Sequence, residues 1–111
     1  MVLYSRERYA EALESLQSAV DLAPHLPHYR LQRGDTLTHL RRYDEAIVQY
    51  ERALTMKENF AEAHNNLGIA HKAQGNLREA ARHYLLALSI DPDLPDAHNN
   101  LGIILANRGL V

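Results

Sequence analysis

The 111-residue chain has no cysteine, which excludes disulfides, thiolate metal sites and a cysteine nucleophile. It also lacks a long apolar run. The best, Tyr84 to Ile90, is seven residues and is interrupted by Ser89, against the roughly 18–20 needed to cross a bilayer. Positive charge is scarce as well: 12 Lys and Arg against 14 Asp and Glu give a net charge of −2. Nucleic-acid binding needs a concentrated positive field to displace counterions, and Arg41-Arg42 is the only basic doublet in the middle of the chain. Met1-Val2-Leu3-Tyr4-Ser5 runs directly into Arg6-Glu7-Arg8, so no signal-peptide apolar segment is expected. What remains is 46% hydrophobic and 23% charged, ordinary values for one globular domain. These features predict a soluble cytoplasmic protein with neither membrane nor nucleic acid as partner.

The five glycines do not cluster into a phosphate loop; three of them mark a repeat. Ala63-His64-Asn65-Asn66-Leu67-Gly68-Ile69 recurs unchanged as Ala97-His98-Asn99-Asn100-Leu101-Gly102-Ile103, an offset of 34. Another step back puts Gly34 beneath Gly68, and Ala46, Tyr50, Ala53 and Leu54 beneath Ala80, Tyr84, Ala87 and Leu88. One more places Ala12, Leu16, Ala19 and Val20 in the same slots, and Pro24 falls 68 residues before Pro92. The slots are spaced i, i+4, i+7, i+8, one face of an α-helix. Gly75-Asn76 and Asp91-Pro92-Asp93 supply helix ends. The pattern predicts helices over 9–22, 27–40, 43–56, 61–74, 77–90 and 95–108, with connections short enough to make neighbours antiparallel.

Gly68, Gly75, Ala80, Tyr84, Ala87 and Pro92 carry a resemblance to the tetratricopeptide (TPR) repeat, whose period is 34. The resemblance implies an all-α fold, an α-solenoid of antiparallel helix pairs wound into a right-handed superhelix of about three repeats. It divides a single domain, 1–111, into a partial repeat 1–26, repeats 27–60 and 61–94, and a terminal helix in 95–111. Repeat 27–60 departs from the pattern at Arg33, where Leu67 and Leu101 sit, at Arg41 in place of Gly75, and at Glu58 in place of Pro92. These departures put its turn geometry in question.

A mid-helix glycine costs about 1 kcal/mol relative to alanine, so Gly34, Gly68 and Gly102 need a compensating reason. The expected one is close approach of the second helix of each unit through Ala46 or Ala80, with Tyr50 and Tyr84 filling the gap between successive units. Stacking stabilises such units only when their faces are covered. The last helix presents Leu101, Ile104 and Leu105 on one face, which suggests self-association through the chain ends into a homo-oligomer.

The resemblance also implies a concave groove lined by the first helix of each unit. The residues it places there include Gln32 and Asp35 in one unit, Asn65, Asn66, Ile69 and Lys72 in the next, and Asn99, Asn100 and Ile103 in the last. Gln32, Asn66 and Asn100 are spaced by 34 and carry amides, which both donate and accept hydrogen bonds. Stacked, they would form a ladder that grips an extended peptide backbone; a similar asparagine ladder lines the TPR superhelix of O-linked N-acetylglucosamine transferase. The basic clamp that some family members use for a C-terminal carboxylate is not expected: its slots hold Leu31, Asp35, Asn66, Asp96 and Asn100, and an acidic wall repels a carboxylate.

Neither catalysis nor a cofactor finds support, since no nucleophile stands beside a plausible base and orienting group. The seven histidines form no HExxH or His-x₃-His pair and read as packing or surface residues, with no metal expected. His64 and His71 share a helical face but lie about 10 Å apart along the axis. The leading expectation is therefore a protein–protein interaction module binding an extended peptide or helix in its groove. The alternatives are a self-associating scaffold and the non-catalytic arm of a larger enzyme such as a glycosyltransferase.

Overall fold

A computed structural model describes residues 8–14 and 26–107. Residues 8–14 are helical (α1). They are followed by α2 (Pro27–His39), α3 (Tyr43–Met56), α4 (Ala61–Ala73), α5 (Leu77–Ile90) and α6 (Pro95–Asn107), with no strand among the described residues. The fold is an all-α helical repeat. Each helix after α1 ends within a residue of its expected boundary; Leu16, Ala19, Val20 and Pro24 of the first repeat lie outside the described residues. Two compact units are present, 1–58 and 59–111.

In the first unit α2 packs on α3. Three residues join them, too few for anything but an antiparallel hairpin. Leu31 and Leu37 of α2 and Ala46, Tyr50 and Ala53 of α3 are all buried. In the second unit α5 packs on both α4 and α6; Ala63, Leu67 and Ala70 of α4, Ala80, Tyr84 and Ala87 of α5 and Ala97 and Ile104 of α6 are buried, and Ile104 clusters with Ala80 and Tyr84.

The close approach at the glycines involves the tyrosines. A Cβ on Gly34 would lie 2.5 Å from the Tyr50 ring, and one on Gly68 would lie 2.6 Å from Tyr84 and 3.1 Å from the Ala80 carbonyl oxygen. Both rings are fully buried against the glycine of their own hairpin, and Tyr84 also clusters with Ile104 of α6 in the following repeat. At Gly68 the expected alanine shares the contact through the Ala80 carbonyl oxygen, whereas at Gly34 the three nearest atoms all belong to the Tyr50 ring. Gly102 differs, because a Cβ there meets no atom within 4 Å among the described residues beyond its own helix backbone and chain neighbours.

The departures of repeat 27–60 leave its turns intact. Arg41 takes the left-handed conformation at φ 61° that Gly75 takes at 83°, and the same helix-ending bonds form: Arg42 N–H to the Leu37 carbonyl and Asn76 N–H to the His71 carbonyl, both 2.9 Å. Lys57 and Asp91 end α3 and α5 with matching extended backbones, φ −143° and −128°, although only the second is followed by proline. Arg33 directs Nη1 towards the Leu13 carbonyl of α1 at 3.5 Å, so a polar contact occupies the slot that Leu67 fills by packing. The left-handed region costs a side-chain-bearing residue about 1–2 kcal/mol, part of which glycine loses again to chain entropy. Arg41→Gly is therefore expected to raise stability by about 1 kcal/mol in urea denaturation; an unchanged midpoint would mean that the arginine side chain recovers that cost.

Candidate functional site

The sites of interest lie within the second unit, where α4 and α6 are the first helices of consecutive repeats. Asn100 Nδ2 donates to Asn65 Oδ1 at 3.2 Å, and Asn65 Nδ2 donates to Asn66 Oδ1 at 3.3 Å. The amides therefore form a relay from α6 to α4. It passes through Asn65, which is buried at 4% exposure, and does not join Asn66 directly to Asn100 as the 34-residue spacing suggested. Asn66 and Asn100 are half-buried and Asn99 is exposed. Ile69 and Ile103, one turn further along their helices, are exposed, and Lys72 is half-buried. The side-chain oxygen Oδ1 of Asn100 accepts no hydrogen bond among the described residues. With its NH₂ group committed to Asn65, that oxygen is oriented as an acceptor for an incoming N–H.

In the first unit, Gln32 is exposed on α2. Asp35 is half-buried, and its Oδ1 accepts a 2.6 Å hydrogen bond from the Tyr50 hydroxyl, with Thr38 Oγ1 3.1 Å from the same hydroxyl oxygen. Burial, followed by the charge of Asp35 and the bond to it, holds the Tyr50 phenol protonated far above its usual range. Thus Asp35 orients the core tyrosine. Ile69 and Lys72 stand where Asp35 and Thr38 do, 34 residues on, and the buried Tyr84 hydroxyl has no hydrogen-bond partner among the described residues; burial alone pushes its pKa up to about 12. Tyr50→Phe is expected to cost about 1.5–3 kcal/mol by removing a hydrogen bond to a charged group. Tyr84→Phe is expected to be neutral or stabilising, because it removes a desolvated hydroxyl. Parallel thermal melts distinguish the two, and equal losses would contradict the assignment.

The three residues expected at a self-association face, Leu101, Ile104 and Leu105, all lie on α6. Ile104 is 1% exposed and belongs to the cluster with Ala80 and Tyr84, with Leu101 packed at its edge. Leu105 is half-buried. Through Ile104 the apolar stripe of α6 packs on α5.

A histidine cluster between α4 and α5 escaped the sequence analysis. His64 Nδ1 lies 3.2 Å from His83 Nδ1; the His64 and His71 rings both stack on His83, with centroids 5.4 and 5.5 Å away. The repeat offset relates the His64–His83 pair to Arg30 and Gln49, whose side chains bond at 3.1 Å in the first unit. That correspondence was the available signal. Burial, then the Arg82 guanidinium and the neighbouring imidazoles, depress the His83 pKa from 6.5 to about 4 against an opposing contribution from Glu79.

Comparison with known proteins bears on the repeated hairpins. The TPR repeat family model matches residues 34–75 and 70–109. The chain belongs to the TPR repeat family. It is 33% identical over 82 residues to the TPR repeat-containing thioredoxin TTL4 of Arabidopsis thaliana, covering 74% of this chain but only 12% of that protein. It therefore spans a small part of this curated relative. Among solved structures, the first TPR of Spaghetti (RPAP3) bound to the HSP90 peptide SRMEEVD has a TM-score of 0.87 at 23% identity, over 93% of this chain and 82% of that one. YrrB, a TPR protein with an unusual peptide-binding site, has a TM-score of 0.80 at 29% identity, over 84% and 48%. Among the described residues of this TPR chain, no helix is long and apolar enough to cross a membrane.

Proposed function

We propose that this TPR chain is a non-catalytic interaction module, a single run of repeats over 1–111, that holds an extended segment of a partner protein. The proposed binding face is made by α4 and α6. The observation that carries the reading is the relay Asn100–Asn65–Asn66, with the exposed Ile69 and Ile103 one turn further along the two helices that it joins. Backbone-directed amides grip a peptide with little regard to its sequence, and the isoleucines supply apolar contact for alternate side chains. Lys72 and Asn99 border the face, and Gln32 is assigned the same backbone-gripping role within its own unit. Likeness to peptide-binding TPR proteins supports the assignment of class.

The partner chemistry differs from that of the chaperone-tail domains. Leu31, Asp35, Asn66, Asp96 and Asn100 occupy the carboxylate-clamp slots, so a peptide ending in EEVD is a poor fit. Neutral or mildly basic extended peptides suit the acidic rim at Glu62 and Asp96. Fluorescence anisotropy with labelled peptides of both kinds tests this. Asn66→Ala and Asn100→Ala are each expected to weaken the basic peptide by about tenfold, the loss of one well-made hydrogen bond. Tight binding of an EEVD peptide, insensitive to both substitutions, would refute the proposed face.

A further inference from the structure

We propose that His71, Glu79 and His83, between α4 and α5, form a binding site for one divalent transition-metal ion of the zinc class. One ligand atom from each lies within 4.8 Å of those of the other two. A tetrahedral zinc ion with bonds near 2.0–2.1 Å holds its ligands about 3.4 Å apart, so closure asks for movement of roughly an ångström. Glu79 is well placed to make it, being half-exposed and i, i+4 to His83, with Oε2 already 3.8 Å from His83 Nε2.

Three further observations point to a cation. A guanidinium has only donors, and Arg82 Nη2 lies 3.3 Å from His83 Nε2; that nitrogen must therefore present its lone pair. Its proton then resides on Nδ1 and is donated to His64 Nδ1, an outer hydrogen bond of the kind that fixes ring orientation in metal-binding histidines. Positive charge already occupies the position, supplied by Arg82, whose side chain is 58% exposed and can withdraw. Finally, His71 occupies the slot filled by Leu37 in the first unit, where the leucine is fully buried. Packing does not call for an imidazole there, yet His71 Nδ1 is buried without a hydrogen-bond partner among the described residues. Two imidazoles and a carboxylate suit zinc, cobalt or nickel, and three protein ligands leave one position for water. The sequence hid this group because its members are spread over two helices, whereas a spacing motif along α4 finds only His64 and His71.

Isothermal titration of the untagged chain with ZnCl₂ near neutral pH tests the proposal, with absorption spectra of the Co²⁺-loaded protein reporting geometry. The expected result is one saturable equivalent and tetrahedral cobalt bands. Glu79→Gln and His71→Leu should each weaken zinc binding by at least about tenfold, and His98→Ala should leave it unchanged. His71→Leu installs the residue that the first unit uses, and circular dichroism confirms its fold. Absence of saturable binding up to about 1 mM zinc, binding indifferent to both substitutions, or binding abolished by His98→Ala would each overturn the site.

Discussion

Gly68→Ala is expected to destabilise the 111-residue chain by about 1–3 kcal/mol, while the same substitution at Gly102 stabilises it by about 1 kcal/mol. Both glycines lie mid-helix in identical seven-residue sequences, so local helix propensity favours alanine equally at the two positions. The difference is in what the methyl group meets. At Gly68 it would press on the fully buried Tyr84 ring at 2.6 Å, closer than two carbon atoms can stand. At Gly102 it would meet no atom within 4 Å among the described residues beyond its own helix backbone and chain neighbours. A double-mutant cycle isolates the contact. Tyr84→Ala alone should cost about 3–5 kcal/mol as a large-to-small core substitution. In that background Gly68→Ala should become stabilising, since the new methyl enters the cavity. If Gly68→Ala remains equally harmful without the ring, the glycine serves the backbone and the account of the hairpin is wrong.

Acidification should destabilise the metal-free protein between pH 6.5 and 4, by about 2–3 kcal/mol in total. His83 binds its proton at a pKa of about 4 in the folded chain against 6.5 when unfolded. Across that window the unfolded state holds more protons, so stability is fully present above pH 6.5 and declines as pH falls. The groups facing the ring are His64 and His71 from α4 and Arg82 and Glu79 from α5. Glu79 alone favours the imidazolium, and its own pKa is lowered chiefly by the hydrogen bond from Arg82. His83→Gln, which copies Gln49 of the first unit, should flatten the profile measured by urea denaturation in EDTA. A wild-type profile as flat as that variant's would mean that solvent reaches the ring.

How far the sequence could be read follows from what each feature depends on. Helix boundaries were legible because Gly75, Pro92 and the small residues at 46, 53, 80 and 87 act locally and recur at a fixed offset. Arg41 shows where local rules stop: a residue ill suited to positive φ adopts it because the bonds from Arg42 to Leu37 and from Arg41 to Thr38 hold the turn. The amide row on α4 and α6 was visible as a period, but its wiring through Asn65 was not. Asn65 and Asn66 are adjacent in sequence, and only the packing of α6 decides which one receives the Asn100 amide. Partners across helices were the hardest to foresee. Tyr50 on Asp35, Tyr84 against Gly68 and the three stacked histidines each need the hairpin's register, which spacing within one helix does not contain.

The central claim is that the amide row between α4 and α6 receives a polypeptide. Its most direct test is a ¹⁵N- and methyl-resolved NMR titration with an extended, mildly basic peptide. Saturable shifts should concentrate on the side-chain amides of Asn66 and Asn100 and on the methyl groups of Ile69 and Ile103. Shifts centred on the outer face of α5, around the exposed Leu85, with those four residues unmoved, would contradict it.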